Sequence, residues 1–179
     1  MTHIQKYTIP TVMSCAAFGV GTLFDTFWEP FFMAGFAIQS LTYLGLCRFL
    51  EEKKAKGPFS LLFNAHLAMV IALALLFYFV SGNVDDDSTV FYAIFAAALF
   101  MVVSAYIVAK IVAGALIVNQ RHACMGISMI ASSIALCYYF GTRIVNFLPD
   151  ELYWTIPKAL CITSAVELIA IALSTKNKP

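Results

Sequence analysis

Three ionisable residues stand inside apolar runs of this sequence. Lys110 lies in YIVAKIVAGALIVNQRH (residues 106–122), Glu167 in TSAVELIAIALS (163–174) and His66 in FNAHLAM (63–69). Ionisable groups in such surroundings mark an ion or substrate path, a proton relay or a buried counter-ion pair. A glutamate there carries a proton or opposes a cation. A lysine balances it or meets an anion, and a histidine titrates near neutral pH.

Depth sharpens the question. If its helix ends at Val118, Lys110 lies roughly 12 Å inside at 1.5 Å per residue, too deep for an easy reach to water. Two readings follow. Either Lys110 pairs with an acid, or the helix protrudes and leaves Ile111–Val118 as an apolar overhang that needs a cover. Glu167 lies about 10 Å from the end of its run at Ser174 on the same rise. Thr163, Glu167, Ala170 and Ser174 share one helical face, a small and polar stripe that should point at other helices or at a water cavity. His66 lies at similar depth, with Asn64 nearby but nearly opposite on a helix. Gln39, Ser40, Ser14 and Ser128 fall near the same level, so a polar layer is expected, built on Glu167, Lys110 and His66, with Gln39, Asn64, Ser128 and Thr163 as secondary members. Within that layer a Lys110–Glu167 pair would make each charge tolerable to the other.

The elements that position these residues are helices. The chain has 179 residues, 61% hydrophobic and 12% charged, with a mean hydropathy of +0.86. Soluble domains average about 45–50% apolar and ~25% charged, so lipid is the expected solvent. The apolar runs lack period-2 alternation, which favours helices over a barrel. Six transmembrane spans are expected in one domain covering 1–179, at about 9–24, 31–49, 59–80, 89–118, 123–147 and 155–174. Thr8 is expected to cap the first span, with Pro10 in its first turn. EEKKAKGP (51–58) reads as a loop, SGNVDDDS (81–88) as an acidic turn, NQRH (119–122) as a turn and LPDELYW (148–154) as a loop with aromatics suited to a membrane interface.

Charge then orients the chain. Lys6, Arg48, Lys53, Lys54, Lys56, Arg121, Lys176 and Lys178 collect on one side. Asp25, Glu29, Asp85, Asp86, Asp87, Asp150 and Glu151 collect on the other, where Arg143 and Lys158 are the basic residues. The positive-inside rule places both termini in the cytoplasm, with a bacterial inner membrane the expected location. Ala105, Ala109 and Ala113, and likewise Ser128 and Ser132, give small-residue spacings for close helix approach.

Several classes are disfavoured. A net charge of +1 offers no basic surface for nucleic acid. Cys15, Cys47, Cys124, Cys137 and Cys161 form no CxxC pair and read as small buried hydrophobes. There is no phosphate loop, no HExxH and no nucleophile elbow. Haem would need two histidines at matched depth, whereas His122 sits at a span end and His3 in the tail. No cofactor or metal is expected. The reading leans away from an enzyme, whose acid–base residues would have to be His66 and Glu167. Two functions remain. One is a permease or channel protomer moving a small solute or proton through the inner-half polar layer. The other is a non-catalytic membrane subunit of a larger secretion, respiratory or transport complex. Expected partners are the bilayer and either other membrane subunits or further copies of the chain.

Overall fold

The computed structural model describes residues 3–23, 29–53, 57–78, 89–120, 122–145 and 155–175. Among them every regular element is helical. There are six helices: α1 (His3–Leu23), α2 (Glu29–Glu52), α3 (Phe59–Tyr78), α4 (Thr89–Asn119), α5 (Ala123–Val145) and α6 (Thr155–Ser174). Each of the expected acidic and basic residues Asp25, Lys54, Lys56, Asp85, Asp86, Asp87, Arg121, Asp150, Glu151, Lys176 and Lys178 lies outside the described residues, as do the side chains of Ser14, Glu29 and Arg143.

The helices close into a ring. Each packs on its neighbours in the chain, and α6 returns to pack on α1. Short connections make successive helices antiparallel. α2 and α3 meet where the Cys47 thiol donates to the Phe59 carbonyl at 3.0 Å. α4 and α5 cross at Gly114 and Gly126, whose backbones approach so closely that neither position has room for a side chain. That crossing also settles the end of α4. It continues unbroken past Lys110 to Asn119, and α5 covers one side of this stretch, where Ala113 and Ile117 are buried while Ile111 and Val112 stay exposed.

The first helix departs from expectation. α1 begins at His3, so Pro10 lies inside it. Thr8 does not cap it: the Thr8 hydroxyl donates to the Ile4 carbonyl at 2.9 Å, and Thr11 does the same to Tyr7 at 2.8 Å. An interior proline keeps a helical φ but removes its own N–H from the ladder and crowds the carbonyl four residues back, a cost of about 3 kcal/mol. Tertiary burial holds the turn before it, because Ile4 packs directly over Gly45 of α2. Glu51 and Glu52, expected in a loop, extend α2.

Two helical stretches, Ala93–Asn119 and Ala123–Gly141, are long and apolar enough to cross a membrane, with mean hydropathies of 2.3 and 1.6; in α3 the apolar run among the described residues is Phe59–Leu75. The other helices turn polar residues inward. Thr8 and Thr11 of α1, Gln39, Ser40 and Thr42 of α2, and Ser164 and Glu167 of α6 are all buried. Their outer faces carry Ile9, Met13, Leu41, Ile162, Val166 and Leu173. The outer faces are apolar, and a polar cluster sits within a core that is otherwise apolar; water selects against such an outer surface.

Candidate functional site

Lys110 and Glu167 meet inside the ring. Lys110 Nζ lies 2.6 Å from Glu167 Oε2, and the side chains are 3% and 0% exposed. The carboxylate takes two further donors. The Tyr43 hydroxyl donates to Oε1 at 2.6 Å, and the Ser132 hydroxyl to Oε2 at 2.5 Å. α2, α4 and α5 therefore each supply a donor to an acid on α6. Hydrogen bonds to a charged acceptor are the short, strong kind, and here they stand where no water competes.

Proton counting fixes the direction of the remaining bonds. Tyr43 has one O–H, and Glu167 takes it. The Tyr106 hydroxyl, 3.2 Å from that of Tyr43, must then donate to Tyr43. Gln39 Nε2 donates to the same oxygen at 3.2 Å. The Lys110 ammonium also stands over both phenol rings, 5.9 Å from the centroid of Tyr43 and 5.6 Å from that of Tyr106.

His66 is the third wall. Its ring packs edge-on against Tyr43 at 4.8 Å and tilted against Tyr106 at 5.1 Å, and stacks on Phe36 at 5.7 Å. Nε2 lies 3.1 Å from the Phe36 carbonyl. A carbonyl only accepts, so Nε2 carries the proton and Nδ1 is a bare lone pair.

No family model, curated protein or solved structure matches this chain. As an ion pair the site carries no net charge. Its members are joined through hydroxyls that both donate and accept, and such a chain passes protons by exchanging donors.

The secondary residues divide. Gln39 enters the network through Tyr43. Ser128 is buried, and its hydroxyl turns back to the Met125 carbonyl at 2.8 Å; Ser132, one turn further along α5, lies 3.0 Å from the Met129 carbonyl in the same way but also reaches the carboxylate. Asn64 is exposed on α3 and takes no part. Thr163 is half-buried and donates to the Ala159 and Leu160 carbonyls of its own helix. The inward face of α6 carries Leu160, Ser164, Glu167 and Ile171, one residue in phase from the expected stripe. Cys15, Cys47 and Cys161 are buried as expected, but Cys124 and Cys137 of α5 are exposed.

Sequence reasoning missed Tyr43, Tyr106 and Ser132 as members. One signal was available. Each stands one helical turn from a residue already singled out: Tyr43 after Gln39, Tyr106 before Lys110 and Ser132 after Ser128.

Proposed function

We propose that this chain is a six-span membrane protein acting as a permease or channel protomer, with protons or a small solute passing through the Lys110–Glu167 centre. The carrying observation is an ion pair enclosed by hydrogen-bonding side chains of a helical ring whose outer surface is apolar. Met13, Ile94, Met101 and Leu173 are each about two-thirds exposed (67%, 66%, 66% and 67%). Such a surface is stable against lipid and a liability in water. In this reading all six helices cross the bilayer, both termini are cytoplasmic by the positive-inside bias, and the membrane is a bacterial inner membrane.

Within that frame Glu167 is the group that changes protonation, Lys110 its counter-charge, and Tyr43 and Ser132 the hydroxyls that hold the carboxylate in place. The test is proton flux into liposomes reconstituted with the protein, driven by an imposed potential and read with an internal pH dye. Glu167→Gln keeps the shape and removes the titrating group, so flux should fall to that of protein-free liposomes. Unchanged flux overturns the assignment.

A second reading follows from the completeness of the site. Both carboxylate oxygens are engaged, as suits a structural pin in a subunit of a larger complex. Purification from native membranes in mild detergent separates the two: copies of this chain alone favour the permease, and unrelated chains in fixed ratio favour the subunit.

A further inference from the structure

We infer that the Lys110–Glu167 centre is closed, toward the end of the bundle that holds both termini, by a two-layer apolar gate of Leu46, Leu50, Ile117, Met125, Met129 and Ile171. On the reading above, in which protons or a small solute pass that centre, the gate is what controls their passage.

The gate follows from register. With successive helices antiparallel, α2, α4 and α6 run toward the terminal end and α5 runs from it. Each of the four residues that meet at the centre then has apolar neighbours on that side. One turn from Tyr43, Lys110, Ser132 and Glu167 stand Leu46, Ala113, Met129 and Ile171. A second turn on, Leu50, Ile117 and Met125 follow on α2, α4 and α5. The six large side chains are at most 1% exposed and belong to one packed cluster. One turn the other way the buried residues are Gln39, Tyr106 and Ser164 on α2, α4 and α6, with Leu136 on α5. The polar surroundings of the pair thus continue on one side only.

Thickness decides what the two layers do. From Lys110 to Ile117 is about 10 Å at 1.5 Å per residue, whereas a hydrogen bond spans about 3 Å. No described side chain relays across that gap. The buried hydroxyls and thiol on this side, of Thr8, Thr11, Cys47, Ser128 and Thr175, each donate to a backbone carbonyl. An apolar constriction of this kind excludes water, and with it protons and ions, until its walls part. Met125 and Met129 are unbranched and flexible, so α5 is the wall that yields with least strain.

The experiment is the liposome flux assay on the full-length protein with the gate made polar. Ile117→Ser should raise proton flux roughly tenfold over the unsubstituted protein, the response to about 1.4 kcal/mol taken off the barrier. Adding Glu167→Gln to that variant should remove the gain. Met125→Ser, on the facing helix, repeats the test if Ile117→Ser loses its helicity. Flux that does not rise in a folded variant, or a rise that survives Glu167→Gln, overturns the gate. A second measurement needs no transport. With methionine methyls carbon-13 labelled in lipid nanodiscs, and assigned by Met125→Leu and Met129→Leu, neither methyl should receive magnetisation from water; transfer to either overturns the gate. The gate and the permease fail separately. A Glu167-dependent leak in Ile117→Ser, with no flux in the unsubstituted protein, supports the gate and overturns the permease. Flux in the unsubstituted protein that Glu167→Gln abolishes, with no rise in either serine variant, does the reverse.

Discussion

Lys110 of α4 and Glu167 of α6 stand 2.6 Å apart although their helices are not neighbours in the ring. α5 lies between them in the chain and packs on both. Long side chains reach across the interior, and the Ser132 hydroxyl of α5 bonds the same carboxylate. The pair thus ties together three consecutive helices, with Tyr43 adding a fourth.

Breaking the pair from one side leaves the other charge without its partner where water does not reach. Lys110→Met and Glu167→Leu should each destabilise the fold by roughly 3–5 kcal/mol, while the double variant, apolar on both sides, should recover most of that loss. Unfolding in detergent, followed by helicity, measures the cycle. Strictly additive losses would show that the two residues act independently.

The tyrosines should differ although they touch. Tyr43 donates to a carboxylate and accepts from Gln39 and Tyr106, whereas Tyr106 donates to a neutral hydroxyl and accepts from the Lys110 ammonium. Tyr43→Phe should cost roughly 1–3 kcal/mol, and Tyr106→Phe roughly 0.5–1.5 kcal/mol. The same unfolding measurement ranks them, and an inverted order would contradict the proton assignment.

Glycine tests the α4–α5 crossing. A Cβ on Gly126 would press on the Gly114 carbonyl, and one on Gly114 would lie 2.9 Å from the Gly126 carbonyl. Backbone cannot rotate aside, so Gly126→Ala should cost roughly 1–3 kcal/mol or more. Around Gly141 nothing lies within 4 Å of an added Cβ. Gly141→Ala should therefore stabilise the helix by roughly 0.5–1 kcal/mol. Thermal melts of the two variants should move in opposite directions.

The outer surface distinguishes lipid from water directly. Met101 is 66% exposed near the middle of α4. In a bilayer Met101→Asp should cost about 2.5–3.5 kcal/mol of insertion free energy; on a watered surface the change would stay within about 0.5 kcal/mol. The inserted fraction of the α4 segment, read with a glycosylation reporter in microsomes, is the measurement.

Much of the fold was legible in the residues. Long apolar runs punctuated by EEKKAKGP, SGNVDDDS and NQRH give the six helices. Their ends fall within a few residues of expectation apart from the start of α1, where contact with Gly45 carries the helix back past Pro10. Lys110, Glu167 and His66 announced themselves as ionisable groups among apolar ones, a signal that needs no partner to be read.

What the residues left open was rotation. In a water-soluble helix a polar face marks the outside, and periodicity fixes which residues turn inward. Here both the buried and the exposed faces are largely apolar, so a helix such as α4 or α6 gives little indication of its phase. That is why Thr163 was placed inward and Ser164 was not, and why Ser128 was favoured over Ser132. Composition and local propensity determined the number, length and class of the helices. Only the closing of α6 on α1 set each helix's turn about its own length, and with it brought Tyr43, Ser132 and Lys110 onto one carboxylate.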